Sequence, residues 1–494
     1  MTLNSGSSIY FLGIGGTGMA SVAGLCAEAG YRVFGSDAGV YPPMSTMLAD
    51  LKIPVKTPLS PENVKDLSAD LVVIANVLSR GNPELEAVLA KGLPTTSFPQ
   101  LLGDLFLRQR TTCVVAGTHG KTTTTSLLSH VLNELGEDPS FVIGGIPRNF
   151  PRSFRLGKSP LFVIEGDEYD TAYFDKGPKF LHYHPTHLIL NNLEFDHADI
   201  YPNLEAITSQ FVKLAKLVSD PRCIIANVDD EGIRNVIKQA GVSDKVTRVS
   251  TLGITAGAQV KVGRHSAVPD GAGGQVWTAT LETNALGNFE VKTQLSGRHN
   301  LANIAQVVGC LISLQQRGDL KNQLSGSRIA SAIRSFLNVQ RRLDLLASVG
   351  GIDIYEDFAH HPTAVRLVIE GFRAVYPQKR LVIAFEPRSA SQRRNVFQQA
   401  FAEALSLADR VFIGECMQDQ RIPPEQRMNT EQLQKAIGSK AECFSTNLDL
   451  EKSLMAALTP GDAVIFMSSG SFSGVQHRLA AHLQQDKKNV RLHF

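Results

Sequence analysis

Short apolar runs bounded by glycine or polar residues recur along almost the whole chain, and most are followed by a segment with helical spacing. "SIYFLGI" (8–14), "YRVFGSD" (31–37) and "DLVVIAN" (70–76) open the series, and "TTCVVAG" (111–117), "PLFVIEGDE" (160–168), "THLILNN" (186–192) and "RCIIANVDD" (222–230) continue it. "IDIYEDFAHHP", "RLVIAFEPRS", "RVFIGEC" and "DAVIFMSSGS" close it. Runs without polar alternation fit strands buried on both faces, so the pattern predicts α/β layers with mostly parallel sheets. A chain of 494 residues is more than one hydrophobic core organises, and the expectation is three domains, 1–108, 109–338 and 339–494. Between about 244 and 295 the text turns to short, glycine-rich alternating pieces, which predicts a β-rich excursion inside the middle domain.

Apolar residues make up 43% and charged residues 19%, with a net charge of +2. That balance gives no support to a sequence-independent nucleic-acid binder, which needs a concentrated basic face. No stretch approaches the roughly 18 to 20 apolar residues of a membrane span, so no membrane insertion is expected. Six scattered cysteines without a CxxC pair read as reduced thiols of a cytoplasmic protein.

Two glycine-rich turns carry phosphate chemistry. Gly13, Gly15, Gly16 and Gly18 follow the first strand run, where glycines let a backbone approach a pyrophosphate and a helix N-terminus faces its charge. Asp37 closes the next run where a ribose-binding acid sits in nicotinamide enzymes, so this turn alone also fits a dehydrogenase. The second turn is Gly117-Thr118-His119-Gly120-Lys121-Thr122-Thr123. Its N–H groups can surround polyphosphate, Lys121 can reach terminal oxygens, and the Thr122 hydroxyl can ligate Mg²⁺. A lysine at a helix start opposes the macrodipole unless phosphate is there. Val115 stands where the general P-loop has glycine, so the loop is a shortened form.

Later strand ends add carboxylates: Glu165, Asp167, Glu168 and Asp170, then Glu194, Asp196, His197 and Asp199. Ligands bind open α/β sheets at such ends, and Mg²⁺ with phosphates takes a few oxygens plus water. "HYHPTH" offers His182, His184 and His187; without a nearby cysteine, and with the first pair spaced for one face of a strand, it reads as a structural or substrate-facing segment rather than a zinc site.

"GTHGKTT", "EGDEYD", "FDHADIY", "SGRHNLANIA", "QRRLD" and "EDFAHHPTA" occur in the order found in the Mur ligases, and the chain resembles that family over nearly its whole length. The resemblance implies a Rossmann-like domain for a UDP-sugar, a central P-loop ATPase domain, and a Rossmann-like C-terminal domain that brings the amine substrate. It implies ATP and Mg²⁺, with UDP-N-acetylmuramate as the acid. Lys121 would stabilise the γ-phosphate, Thr122 and Glu165 would hold one Mg²⁺, and His197 a second. Asn300 and Asn303, spaced i, i+3, would reach the adenine, and Arg342 and Asp357 would meet the nucleotide on closure. Without the resemblance the two asparagines could be a polar helix face, Arg342 a hinge charge and Asp357 a turn cap. For the UDP-sugar the candidates are the four glycines with Ser36, Asp37, Asn76, Ser79 and Arg80.

"DAGVYPPMST", "RGNPELEAV", "FVIGGIPRNF", "EYDTAYFDK", "FEPRS" and "MSSGSFSGV" resemble the members that add the murein tripeptide L-alanyl-γ-D-glutamyl-meso-diaminopimelate rather than L-alanine. Those adding L-alanine typically carry a "QPHR"-like segment where Glu386-Pro387-Arg388-Ser389 stands. For the peptide carboxylates the candidates are His360, Arg388, Ser389 and Arg393, because guanidinium geometry matches carboxylate. Lys213 and Lys216 lie near where some family members carry a carbamylated lysine, without a clean register, and no modification is assigned.

Overall fold

The computed structural model describes residues 3–251, 257–417 and 420–491. Three sheets follow one another along the chain. The first is all parallel, in the order Val55–Lys56, Arg32–Ser36, Ser8–Leu12, Leu71–Ile74, Thr95–Ser97. Its two central strands are buried along their whole length, as their unbroken apolar text requires.

The second sheet has ten strands. Its parallel part runs Thr247–Ser250, Ile224–Asn227, His187–Leu190, Thr111–Ala116, Leu161–Gly166, Ser140–Val142. The glycine-rich stretch forms three antiparallel strands, Val260–Pro269, Gln275–Thr283 and Gly287–Thr293, which extend this sheet rather than stand apart from it. The third sheet is parallel apart from its edge strand Asp344–Val349, with Ile352–Asp357 and Ala463–Met467 near its middle.

The first two sheets share one apolar core. Helix Thr17–Glu28 crosses from one to the other at Gly24, where a Cβ would stand 2.2 Å from the Phe154 ring, and the buried Ser21 and Ser153 hydroxyls bond at 2.8 Å. The third sheet reaches the second through Ser391, whose hydroxyl donates to Asp196 at 2.7 Å, and Thr363, which donates to Glu194 at 2.6 Å. These seams bring the C-terminal ends of the sheets around one cleft. Among the described residues, no helix is long and apolar enough to cross a membrane.

One local expectation is corrected. His182 and His184 do not share a strand face: Lys179–His182 is a 3-10 turn, His182 bonds Asp175 at 2.8 Å, and His184 has a φ of 46°. Proline at 178 and 185 breaks the pairing that a strand there would need. His187 alone lies in a strand, fully buried.

Candidate active site

Strand Thr111–Ala116 ends in the turn 117–120, and helix Lys121–Glu134 begins directly after it. Gly120 caps that helix with a φ of +79°, and a Cβ there would press to 2.8 Å from Asn303 Oδ1. Asn192 fixes the turn from the neighbouring strand end: its carbonyl accepts the Thr118 N–H at 3.0 Å and its side chain accepts the His119 N–H at 2.7 Å. The N–H groups of Gly120 to Thr123 precede the first helical bond, Thr124 to Gly120 at 2.9 Å, and point where an anion would sit.

Lys121 curls back onto the turn, donating to the carbonyls of Gly117 at 2.7 Å and Thr118 at 3.2 Å and to Glu168 at 2.9 Å. Burial favours its neutral form, but Glu168, Glu165 and Asp167 outweigh that and hold its pKa above the usual lysine range. Glu168 is almost fully buried and also meets His197 Nε2 at 2.8 Å. Glu165 ends strand Leu161–Gly166, accepting from the Thr122 hydroxyl at 3.0 Å and the Gly144 N–H at 2.9 Å; burial raises its pKa, with Lys121 offsetting part of the rise. Asp167 pairs with Lys179 at 2.5 Å, and against the effect of burial Lys179 and Lys121 bring its pKa to about 2.

Asn300 and Asn303 begin helix Arg298–Arg317 and bond one another at 2.9 Å. Asp357 is buried at the end of its strand, where it accepts the N–H groups of Leu343 at 2.7 Å and Ala359 at 2.6 Å. It therefore caps the turn that carries Arg342, whose guanidinium lies 5.3 Å from the Phe358 ring. A cavity of about 700 Å³ draws its lining from segments flanking all three sheets, with Gly18, Lys121, Glu165, Asn303, Arg342 and His360 among the residues that face it. Thr118, His119, Thr122, Thr123, His197, Asn300, Asp357 and Ser389 line it as well.

The remaining candidates divide. Gly16 caps helix Thr17–Glu28 in open space, and Gly13 holds a φ of +85° where a Cβ would meet Ala75 at 2.7 Å. Asp37 accepts the Gly15 N–H at 2.7 Å and so organises the turn itself. Ser36 is a correction: it is fully buried and donates to Glu84 at 2.6 Å, inside a network with Tyr10, so its hydroxyl does not face a ligand. Asn76 and Ser79 follow strand Leu71–Ile74 on the surface, and Arg80 is ion-paired to Glu86 there at 2.8 Å. Arg388 packs against Gly470 beside Glu386, 3.7 Å away, and Arg393 is half-buried in the following loop; neither lines the cavity.

Sequence reading missed four contributors. Asn191 and Asn192 hold the turn, Lys179 lines the cavity against Phe98, and His361 meets Glu194 beside His119. The signal for the asparagines was their place at a strand end next to the phosphate loop; nothing in the local text singles out Lys179.

Thr122 and Glu165 present hard oxygens 3.0 Å apart beside helix N–H groups that have no partner among the described residues and a charged lysine, the donor set that a divalent cation with polyphosphate requires. Family models match in three consecutive pieces: "Mur ligase family, catalytic domain" over 8–110, "Mur ligase middle domain" over 115–311, and "Mur ligase, glutamate ligase domain" over 341–470. The UDP-N-acetylmuramate–L-alanyl-γ-D-glutamyl-meso-2,6-diaminoheptandioate ligase of Escherichia coli K12 is 37% identical, covering 95% of this chain and 97% of that protein. Its namesake from Haemophilus influenzae is 35% identical, covering 96% and 99%. The crystal structure of a murein peptide ligase from Psychrobacter arcticus 273-4 superposes with a TM-score of 0.72 at 31% identity, covering 97% of this chain and 99% of that one. Motif order, site geometry and whole-length similarity agree, and the chain belongs to the Mur ligase family.

Proposed function

We propose that the chain is an ATP-dependent amide ligase joining UDP-N-acetylmuramate to L-alanyl-γ-D-glutamyl-meso-diaminopimelate, a step of peptidoglycan recycling in the cytoplasm. The observation that carries the chemistry is the pairing of Lys121 with Glu168 and of Thr122 with Glu165 at a cavity lined by segments flanking all three sheets. The choice of amine rests on the relatives at 35–37% identity and on the "FEPRS" segment.

A carboxylate does not acylate an amine at neutral pH, so the muramoyl carboxylate oxygen attacks the γ-phosphorus of ATP, ADP leaves, and an acyl phosphate forms. The peptide α-amine attacks the acyl carbon, loses its proton, and the amide forms as inorganic phosphate departs. The protein's work is positioning and charge neutralisation. Lys121, kept protonated by its carboxylates, faces the developing negative charge, and the N–H groups of Gly120 to Thr123 hold the phosphates. Thr122 and Glu165 would hold one Mg²⁺ and His197 a second, which neutralise phosphate charge when bound. Asn300 and Asn303 take the adenine side, and Arg342 and Asp357 the nucleotide from the third domain. The helix behind Gly13, Gly15, Gly16 and Gly18 takes the UDP diphosphate, with Asn76 and Ser79 at its rim. His360 and Ser389 are the peptide contacts nearest the cavity. The domain limits follow as 1–108, 109–338 and 339–494.

The test is ADP release with Mg-ATP and UDP-N-acetylmuramate, adding either the free tripeptide or L-alanine, with the product mass checked. Turnover with the tripeptide alone supports the reading. Turnover with L-alanine alone makes the chain an L-alanine ligase and overturns it.

A further inference from the structure

Beside the cavity three ligand-bearing side chains converge from separate elements: His119 of the phosphate turn, Glu194 after strand His187–Leu190, and His361 at the cap of helix Pro362–Val375. Their ligand atoms lie within 4.8 Å of one another. Glu194 Oε2 is 3.5 Å from His119 Nε2 and 3.5 Å from His361 Nδ1. Two donors about 2.0–2.1 Å from a tetrahedral zinc ion stand about 3.3 Å apart, so these two pairs are already near the spacing such an ion imposes.

The hydrogen bonds leave donor atoms of the kind a cation takes. His361 Nε2 donates to the Phe195 carbonyl at 3.2 Å, which places its proton there and leaves Nδ1 as a lone pair turned toward a carboxylate. The Thr363 N–H, 3.3 Å away, is a long partner for that lone pair. His119 Nε2 is buried and has no hydrogen-bond partner among the described residues. The Thr363 hydroxyl donates to Glu194 Oε2 at 2.6 Å and orients it, as outer partners orient metal ligands. The lone pair on His361 Nδ1 and the Glu194 oxygen 3.5 Å from it repel one another, and a cation between them would turn that repulsion into ligation.

We propose that His119, Glu194 and His361 bind a divalent transition ion of the zinc type, with a fourth position open to water. Two imidazoles and one carboxylate suit zinc or cobalt, whereas magnesium demands oxygen. The ion ties the phosphate turn to the third domain, so it holds the cleft closed. This inference does not depend on which amine the ligase uses.

Zn²⁺ alone is titrated into the metal-free full-length protein against a chromophoric chelator. The expected result is one ion per chain, bound at least tenfold more weakly by His361→Gln and by Glu194→Ala but equally well by His197→Ala. Zn²⁺ should also raise the unfolding temperature of the unsubstituted protein and of neither variant. Co²⁺ should give the intense visible absorption of a tetrahedral site. Unchanged zinc affinity in both variants, loss of binding in His197→Ala with retention in the other two, or an octahedral cobalt spectrum overturns the proposal. Should one variant fail to fold, the other and the cobalt spectrum of the unsubstituted protein decide.

Discussion

Replacing Glu168 with glutamine is the sharpest probe of how the site is held together. Glu168 is 2% exposed and faces Lys121, itself 13% exposed, at 2.9 Å, while its Oε1 meets His197 Nε2 at 2.8 Å. Removing one member of a buried ion pair typically costs about 3–5 kcal/mol, because the partner is left charged and unpaired. Lys121 keeps the carbonyls of Gly117 and Thr118, and Glu165 and Asp167 still act on its charge. Those remaining partners bring the expected loss below that range, to about 2 kcal/mol. In a domain of some 200 residues this lowers the melting temperature by about 4–8 °C. Glutamine can still accept from Lys121, but its amide then presents N–H to His197 and the lysine loses the charge that aims it. A misdirection worth about 1.4 kcal/mol in the transition state slows ADP release about tenfold. Urea denaturation and the coupled assay read the two effects separately. A stability change below about 0.5 kcal/mol together with full turnover would refute the reasoning, because Lys121 would then be positioned by its carbonyl partners alone.

Gly24→Ala gains about 1 kcal/mol of helix propensity but sets a Cβ 2.2 Å from the buried Phe154 ring, and overpacking of that kind costs about 1–3 kcal/mol. A net loss is expected, reversed in sign when Phe154→Ala is present, and a double-mutant cycle on thermal unfolding checks it. His187 is fully buried, and burial lowers its pKa to about 4. Its unfolded form takes up a proton near pH 6.5, so stability worth about 3 kcal/mol is present above that pH and is lost as pH falls toward 4. Denaturation midpoints between pH 7 and 4 should fall less steeply in His187→Gln than in the parent. Arg388→Ala should raise the apparent KM for the tripeptide severalfold and leave that for ATP unchanged; equal tripeptide KM values would remove Arg388 from the peptide site.

What the sequence made legible follows from how local each determinant is. Buried parallel strands announce themselves because both faces must be apolar, so "SIYFLGI" and "TTCVVAG" could be read alone. The phosphate turn was equally plain, since Gly120 needs a left-handed φ and Lys121 needs an anion. Ser36 was misread for the opposite reason: its role depends on Glu84, forty-eight residues away, turning inward to meet Tyr10 as well.

The group at His119 takes this furthest. Each member had a sufficient local explanation, His119 as part of the phosphate turn, Glu194 as one of several acids, and His361 as a neighbour of Asp357. Bonds between the second and third sheets, Ser391–Asp196, Thr363–Glu194 and His361–Phe195 among them, bring them together. Contacts that exist only when the domains meet leave no spacing in the text. A site built across such a seam is therefore coupled to closure by construction: whatever occupies it gains its third ligand only when the third domain is docked, and its affinity measures that docking. In the zinc titration, variants that loosen the seam without touching a ligand, such as Ser391→Ala, should weaken binding as well, and by less than loss of a ligand does.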